Sequence, residues 1–206
     1  CLREDFTGLA AQVRTVTLGI EPQPVPPRAS DGRTILYLGA LVKAKGIFDL
    51  LNALPAIPNA RLIVAGEWFK PDEERAAQEL IAEHGIDDRV QFVGPAYGDT
   101  KQKLFGAADV FVFPPHSQTE AFGLTLLEAM QAGLPIVTTR GGARDEMAAG
   151  GVLVPEENPA ELAGAITGLL NDPARRRQLS DAGRQLVASR YSAAAYGRRM
   201  IEVLDA

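Results

Sequence analysis

The chemistry in these 206 residues is densest in one stretch, Glu120-Ala121-Phe122-Gly123-Leu124-Thr125-Leu126-Leu127-Glu128-Ala129-Met130. Glu128 is the sole ionisable side chain between Ala121 and Thr139. A carboxylate with apolar neighbours on most faces of a helix is costly unless it is paired or hydrogen-bonded. It either accepts hydrogen bonds from ligand hydroxyls at a cleft edge or points to solvent along a narrow polar stripe. Gln131, three residues on, already suits that stripe. Glu120 lies before the helix begins, and Phe122-Gly123-Leu124 forms the start, where unpaired N–H groups and the helix dipole attract an anion. Lys43 and Lys45, in Gly39-Ala40-Leu41-Val42-Lys43-Ala44-Lys45-Gly46, would add positive charge. An anion site flanked by two carboxylates suits a diphosphate carrying a sugar at each end.

Such residues need a frame that brings separate loops together. From residue 34, short apolar runs alternate with stretches of helical period. The runs cover 34–39, 61–65, 90–93, 110–113, 135–138 and 151–154; the helical stretches cover 47–57, 72–84, 100–108, 123–132 and 143–149. Runs that are apolar throughout suit parallel strands covered on both faces. The pattern predicts a three-layer, doubly wound parallel α/β sheet of Rossmann-like type. Extra helices follow at 160–170, from Asp172-Pro173 to about Arg190, and at 193–205. Ligands of such sheets bind beyond the carboxyl ends of the strands. Here those ends open into Gly39, Gly66, Gly94-Pro95, Pro114-Pro115 and Gly141-Gly142, as a binding crest would. Residues 1–30, with prolines at 22, 24, 26 and 27, read as a linker or strap across a surface. The main domain is expected over 31–190 and a terminal helix over 191–206.

The remaining composition narrows the function. A net charge of −5 excludes a large basic footprint for nucleic acid. The arginines of the last two helices read as a solvated face, interspersed with acids. The single cysteine, Cys1, leaves no disulfide framework and no cysteine-based metal site. No apolar run is long enough to span a bilayer, and the chain opens without Met or a signal-peptide core, so it reads as a cytoplasmic piece of a longer protein. Neither G-x-G-x-x-G after the first strand nor a Walker A sequence occurs, which argues against a nicotinamide enzyme and a P-loop NTPase.

Glu120 and Glu128, with seven residues between them in EAFGLTLLEAMQAGLPIV and with DVFVFP before them, resemble the E-x7-E signature of the retaining GT-B glycosyltransferases of family 4. YLGALVKAKG, RLIVAGE, RVQFVGP, GGARDE and GGVLVPEENPAELAGAI occur in that family's order, so the resemblance covers nearly all of 15–205. It implies the C-terminal, donor-binding half of a two-domain hexosyltransferase-type enzyme. The partners it implies are a nucleoside-diphosphate sugar, an unidentified acceptor and an absent N-terminal domain. Glu128 matches the glutamate that binds ribose hydroxyls. Glu120 matches the residue at the donor sugar, with a catalytic role. Phe122, Gly123 and Leu124 match the backbone that approaches sugar and phosphates. Lys45 matches the diphosphate lysine, and Val93 and Gly94 match the segment along the base. The family implies no metal and no cofactor beyond the donor, and full-length members can sit peripherally on a membrane. The terminal helix would pack on the absent domain and leave Met200, Ile201, Val203 and Leu204 as an apolar patch able to support a dimer.

This chain departs from the family in having Ala40 where an arginine is usual, which removes a bidentate phosphate contact. Lys43 is the nearest substitute. Two other classes fit the same residues: a non-catalytic nucleotide-sugar-binding or assembly module working with a separate acceptor subunit, and a GT-B-like phosphorylase or epimerase. The second would need a catalytic carboxylate–histidine set, which the sequence does not show. His116 reads as polar loop content, His84 as a helix-end cap, Trp68 and Phe69 as a stacking or packing pair, and Arg140 and Arg144 as surface residues.

Overall fold

The computed structural model describes residues 16–24, 26–29, 31–116, 120 and 122–205. Cys1 and the first part of the expected strap lie outside the described residues, as does Ala121. Among these residues six strands, β1 Thr34–Leu38, β2 Arg61–Ala65, β3 Val90–Gly94, β4 Val110–Phe113, β5 Ile136–Thr139 and β6 Gly151–Val154, form one sheet in the order β3-β2-β1-β4-β5-β6. Every pairing is parallel, with Ile35 opposite Val110 and Leu36 opposite Phe111 where β1 meets β4. The order reverses between those two strands, and in doubly wound sheets this is the place where a ligand crevice lies at the carboxyl end.

β1, β4 and β5 are buried at every position, as apolar strands covered on both faces must be, while β3 at the edge is largely exposed. Among the described residues there are seven α-helices, in chain order α1 Ile47–Ala53, α2 Pro71–His84, α3 Gly98–Ala107, α4 Leu124–Gln131, α5 Pro159–Asn171, α6 Pro173–Arg190 and α7 Ala193–Leu204. The last three start on side-chain caps: Asn158, Asp172 and Ser192 accept the backbone N–H of Glu161, Arg175 and Ala195. A proline follows the first two caps, at the first helical position. None of the described helices is long and apolar enough to cross a membrane.

The expected helix over 143–149 is instead a 3-10 segment, Gly142–Gly150. The Arg144 N–H bonds back three residues to Gly141 O, and its side chain is drawn inward instead of lying along an α-helical surface. Ile20, Glu21, Gln23 and Ala29 are tied down by the chain around them. Ile20 N–H donates to Tyr191 O and Ile20 O accepts from Ala193, while Ala29 N–H donates to Gly106 O. Gln131 fixes the stretch between: its Oε1 accepts from Gln23 N and its Nε2 donates to Glu21 O. On α7, Ile201 and Leu204 are exposed, whereas Met200 and Val203 are half-buried.

Candidate donor-binding site

The loops that leave β1 and β4 meet at the carboxyl end of the sheet, where the strand order reverses. Lys45 Nζ lies 3.1 Å from Glu120 Oε2, with both side chains about one-fifth exposed. Glu120 Oε1 also accepts the N–H of Phe122 at 3.2 Å and of Gly123 at 2.9 Å. Two N–H groups expected to wait for an external anion are thus held by the chain's own carboxylate. Burial alone would push the Glu120 carboxyl up; the Lys45 ammonium and the two N–H groups outweigh it and hold it below its ordinary value. Glu120 is therefore an anion at neutral pH.

Both loops are fixed from beneath by buried polar groups. The Tyr37 hydroxyl, on β1, donates to Ala40 O at 3.0 Å and to Lys45 O at 3.3 Å, closing the loop on itself. Arg144 is completely buried and donates to Thr139 O at 2.9 Å, Glu120 O at 2.7 Å and Arg140 O at 3.1 Å. A surface position was expected for this arginine. The end of β5 and the carbonyl of Glu120 converge beneath it and satisfy a guanidinium that burial would otherwise expel. The loops also join at His116, whose N–H donates to Ala44 O and whose Nε2 lies 3.1 Å from Asp49 Oδ2.

Glu128 is half-buried and pairs with Lys101 of α3, Nζ to Oε1 at 2.7 Å. It borders a hollow of about 340 Å³ shared with Gly98, Asp99, Gln131, Ile20, Glu21 and Gln23. Sequence patterning missed Lys101. The signal was the lone carboxylate itself, which demanded a cation, but only the path of α3 between β3 and β4 shows which one. Lys43 is exposed, and its N–H donates to Glu73 at 2.7 Å. Leu124 is exposed at the helix start, while Phe122 stacks edge-on against Tyr191, ring centroids 5.8 Å apart.

Val93 and Gly94 end β3, two strands from the ion pair, and Gly94 O accepts from Gly66 N. An apolar hollow of about 210 Å³ covers the ends of β1, β2 and β3, lined by Gly39, Ala40, Gly66, Pro95, Phe69 and Tyr97. Trp68 packs between Phe48 and Phe92, and Phe69 is exposed. His84 Nε2 meets Asn52 Oδ1 at 3.0 Å instead of capping carbonyls. Several arginines expected on a solvated face are also bound: Arg176 to the carbonyls of Leu169 and Leu170, Arg190 to Glu146, and Arg199 to Thr17 O and Arg190 O.

Residues 21–186 match the family model described as glycosyl transferases group 1. An uncharacterised glycosyltransferase of Methanocaldococcus jannaschii is 34% identical over 168 residues, which is 79% of this chain and 42% of that protein. A glycogen synthase of Mycobacterium tuberculosis is 33% identical over 190 residues, 87% of this chain and 45% of the enzyme. This chain thus spans a little under half the length of these two relatives. The crystal structure of Anabaena Alr3699/HepE in complex with UDP and glucose superposes with a TM-score of 0.87 at 20% identity, covering 98% of this chain and 60% of that one. It shares the fold.

Proposed function

This chain belongs to the group 1 glycosyl transferases, and from that premise we propose that it binds the nucleoside-diphosphate sugar for retaining transfer to an acceptor held by a second, N-terminal domain. The observation that carries the reading is the Lys45–Glu120 pair at the point where strand order reverses. A diphosphate arriving there offers Lys45 a more highly charged partner than Glu120 does, and the ammonium then meets the negative charge that grows on the leaving diphosphate. Glu120 is released toward the sugar as a carboxylate, able to stabilise developing positive charge at the reacting carbon. Glu128, held by Lys101 beside an open hollow, accepts hydrogen bonds from the ribose hydroxyls. Val93 and Gly94 flank the base, and Phe122, Gly123 and Leu124 present backbone to the sugar and phosphates. Lys43, on the same 3-10 turn as Lys45, supplies further positive charge where Ala40 supplies none. In this reading the diphosphate is met by these cations without a metal. HepE, with UDP and glucose bound in its own crystal structure, supports a donor of this class.

Calorimetric titration of the chain with UDP, GDP and ADP tests the proposal. At least one should bind, weakly, with no sugar transfer by this chain alone, and Glu128→Ala or Lys45→Ala should weaken binding at least tenfold. No heat with any of the three, and Glu128→Ala indistinguishable from the parent, would overturn it.

A further inference from the structure

A second concentration of charge lies at the other end of the sheet, where Asp109 precedes β4 and Pro135 precedes β5. A hollow of about 350 Å³ opens there between Arg28, the loop at Gly133 and the first turns of α6. Four guanidinium groups line it, those of Arg28, Arg176, Arg177 and Arg184, against two carboxylates, Asp109 and Asp181. This is a local positive excess in a chain whose net charge is −5.

Both carboxylates are already engaged. Asp109 is buried and accepts the N–H of Thr34 at 3.0 Å, and Asp181 pairs with Arg184. Two of the arginines are held in place. Arg176 Nη1 donates to Leu169 O at 2.7 Å and Leu170 O at 2.6 Å. The Arg184 guanidinium lies against Gly133 so closely that a Cβ there would sit 2.4 Å from Nη1. Arg28 and Arg177 make no hydrogen bond or ion pair among the described residues. Although Arg28 is exposed, partial desolvation and the neighbouring Arg176 and Arg184 draw its pKa below the ordinary value, with Asp109 opposing.

Like charges gathered in one hollow repel, and a dianion placed among them relieves that repulsion. Guanidinium forks match phosphate oxygens in bidentate geometry, and the volume falls within the range of small-molecule sites. We propose that this hollow binds a small phosphoryl anion, inorganic phosphate or a phosphomonoester, at a site separate from the donor crevice.

The test is amide NMR of the chain titrated with inorganic phosphate, then with glycerol 2-phosphate, at ionic strength held constant with chloride. Saturable shifts are expected at Gly133 and residues 176–184. Arg28→Gln combined with Arg177→Gln should raise Kd at least tenfold, whereas Lys45→Ala should leave it unchanged. If the double variant does not fold, Arg177→Gln alone, at an exposed position, should raise Kd at least threefold. Shifts that do not saturate, shifts confined to residues 39–46 and 120–128, or equal affinity in the arginine variants would overturn the proposal. Nucleotide binding at the crevice is read separately by the titration with UDP, GDP and ADP, so failure of this proposal and failure of the donor reading are distinguishable.

Discussion

Glu120 is held by three hydrogen bonds, one from an ammonium and two from backbone N–H groups, which makes its protonation a structural event. Its pKa is lower in the folded chain than in the unfolded one. The carboxylate therefore stabilises the fold at neutral pH, and that contribution is lost as pH falls through the folded value. Glu120→Gln should flatten the acid limb of the stability profile, measured by urea unfolding between pH 7 and pH 3 (roughly the span over which carboxylates titrate). An unchanged acid limb would mean that the pair does not stabilise the fold. Although their pairing with each other was not expected, the shared placement of Lys45 and Glu120 was legible in the sequence because both residues sit in loops that leave strands. Tyr37, Lys101 and Arg144 were not. Sequence shows that a buried charge needs partners, but carbonyls supplied by Thr139 and Arg140, and by Glu120 from the preceding loop, form no periodic pattern.

Elements were more legible than contacts, since helices and strands leave periods and caps in the chain. Three strands and the helix after Asp172-Pro173 have the expected bounds, and the other strands and α-helices differ by one to four residues at an end. The failure at 142–150 came where a buried arginine competes with helical geometry. Gly46 joins the 3-10 turn of Lys45 to α1 at φ 77°, and a Cβ there would fall 1.9 Å from Pro114 O, in the backbone that leaves β4. Gly85, at the end of α2, has φ 59° and open space around it. Gly85→Ala should cost ~1–2 kcal/mol from backbone strain alone. Gly46→Ala should cost about twice that or more, since a backbone oxygen must also move. Denaturant midpoints of the two variants measure the difference, and equal losses would show that the β1 and β4 loops yield easily.

At the scale of the molecule, a doubly wound sheet brings to one end loops that are distant in the chain, so 75 residues separate Lys45 from Glu120 yet they meet. Apolar strands joined by helical stretches made that architecture readable, while the far-end arginines looked like ordinary surface because sequence does not show which cations converge. If the crevice binds a nucleoside diphosphate, the whole fold gains stability by mass action. At a hundredfold excess over Kd the gain is ~2.7 kcal/mol, which for a domain of this size raises Tm by roughly 5–10 °C. Differential scanning fluorimetry with the nucleotide that binds measures it, and a Tm independent of concentration would contradict specific binding.

Arg144 carries a one-sided constraint. Its three hydrogen bonds to the loops go to main-chain oxygens, which every amino acid at those positions supplies, and the Glu156 carboxylate lies 3.9 Å from its Nη2. The clamp thus leaves the side chains of Thr139, Arg140 and Glu120 free to change without losing its grip, while no other residue type presents donors in the same fork. Side chains at this end of the sheet can vary on a scaffold whose position is set by a fully buried residue.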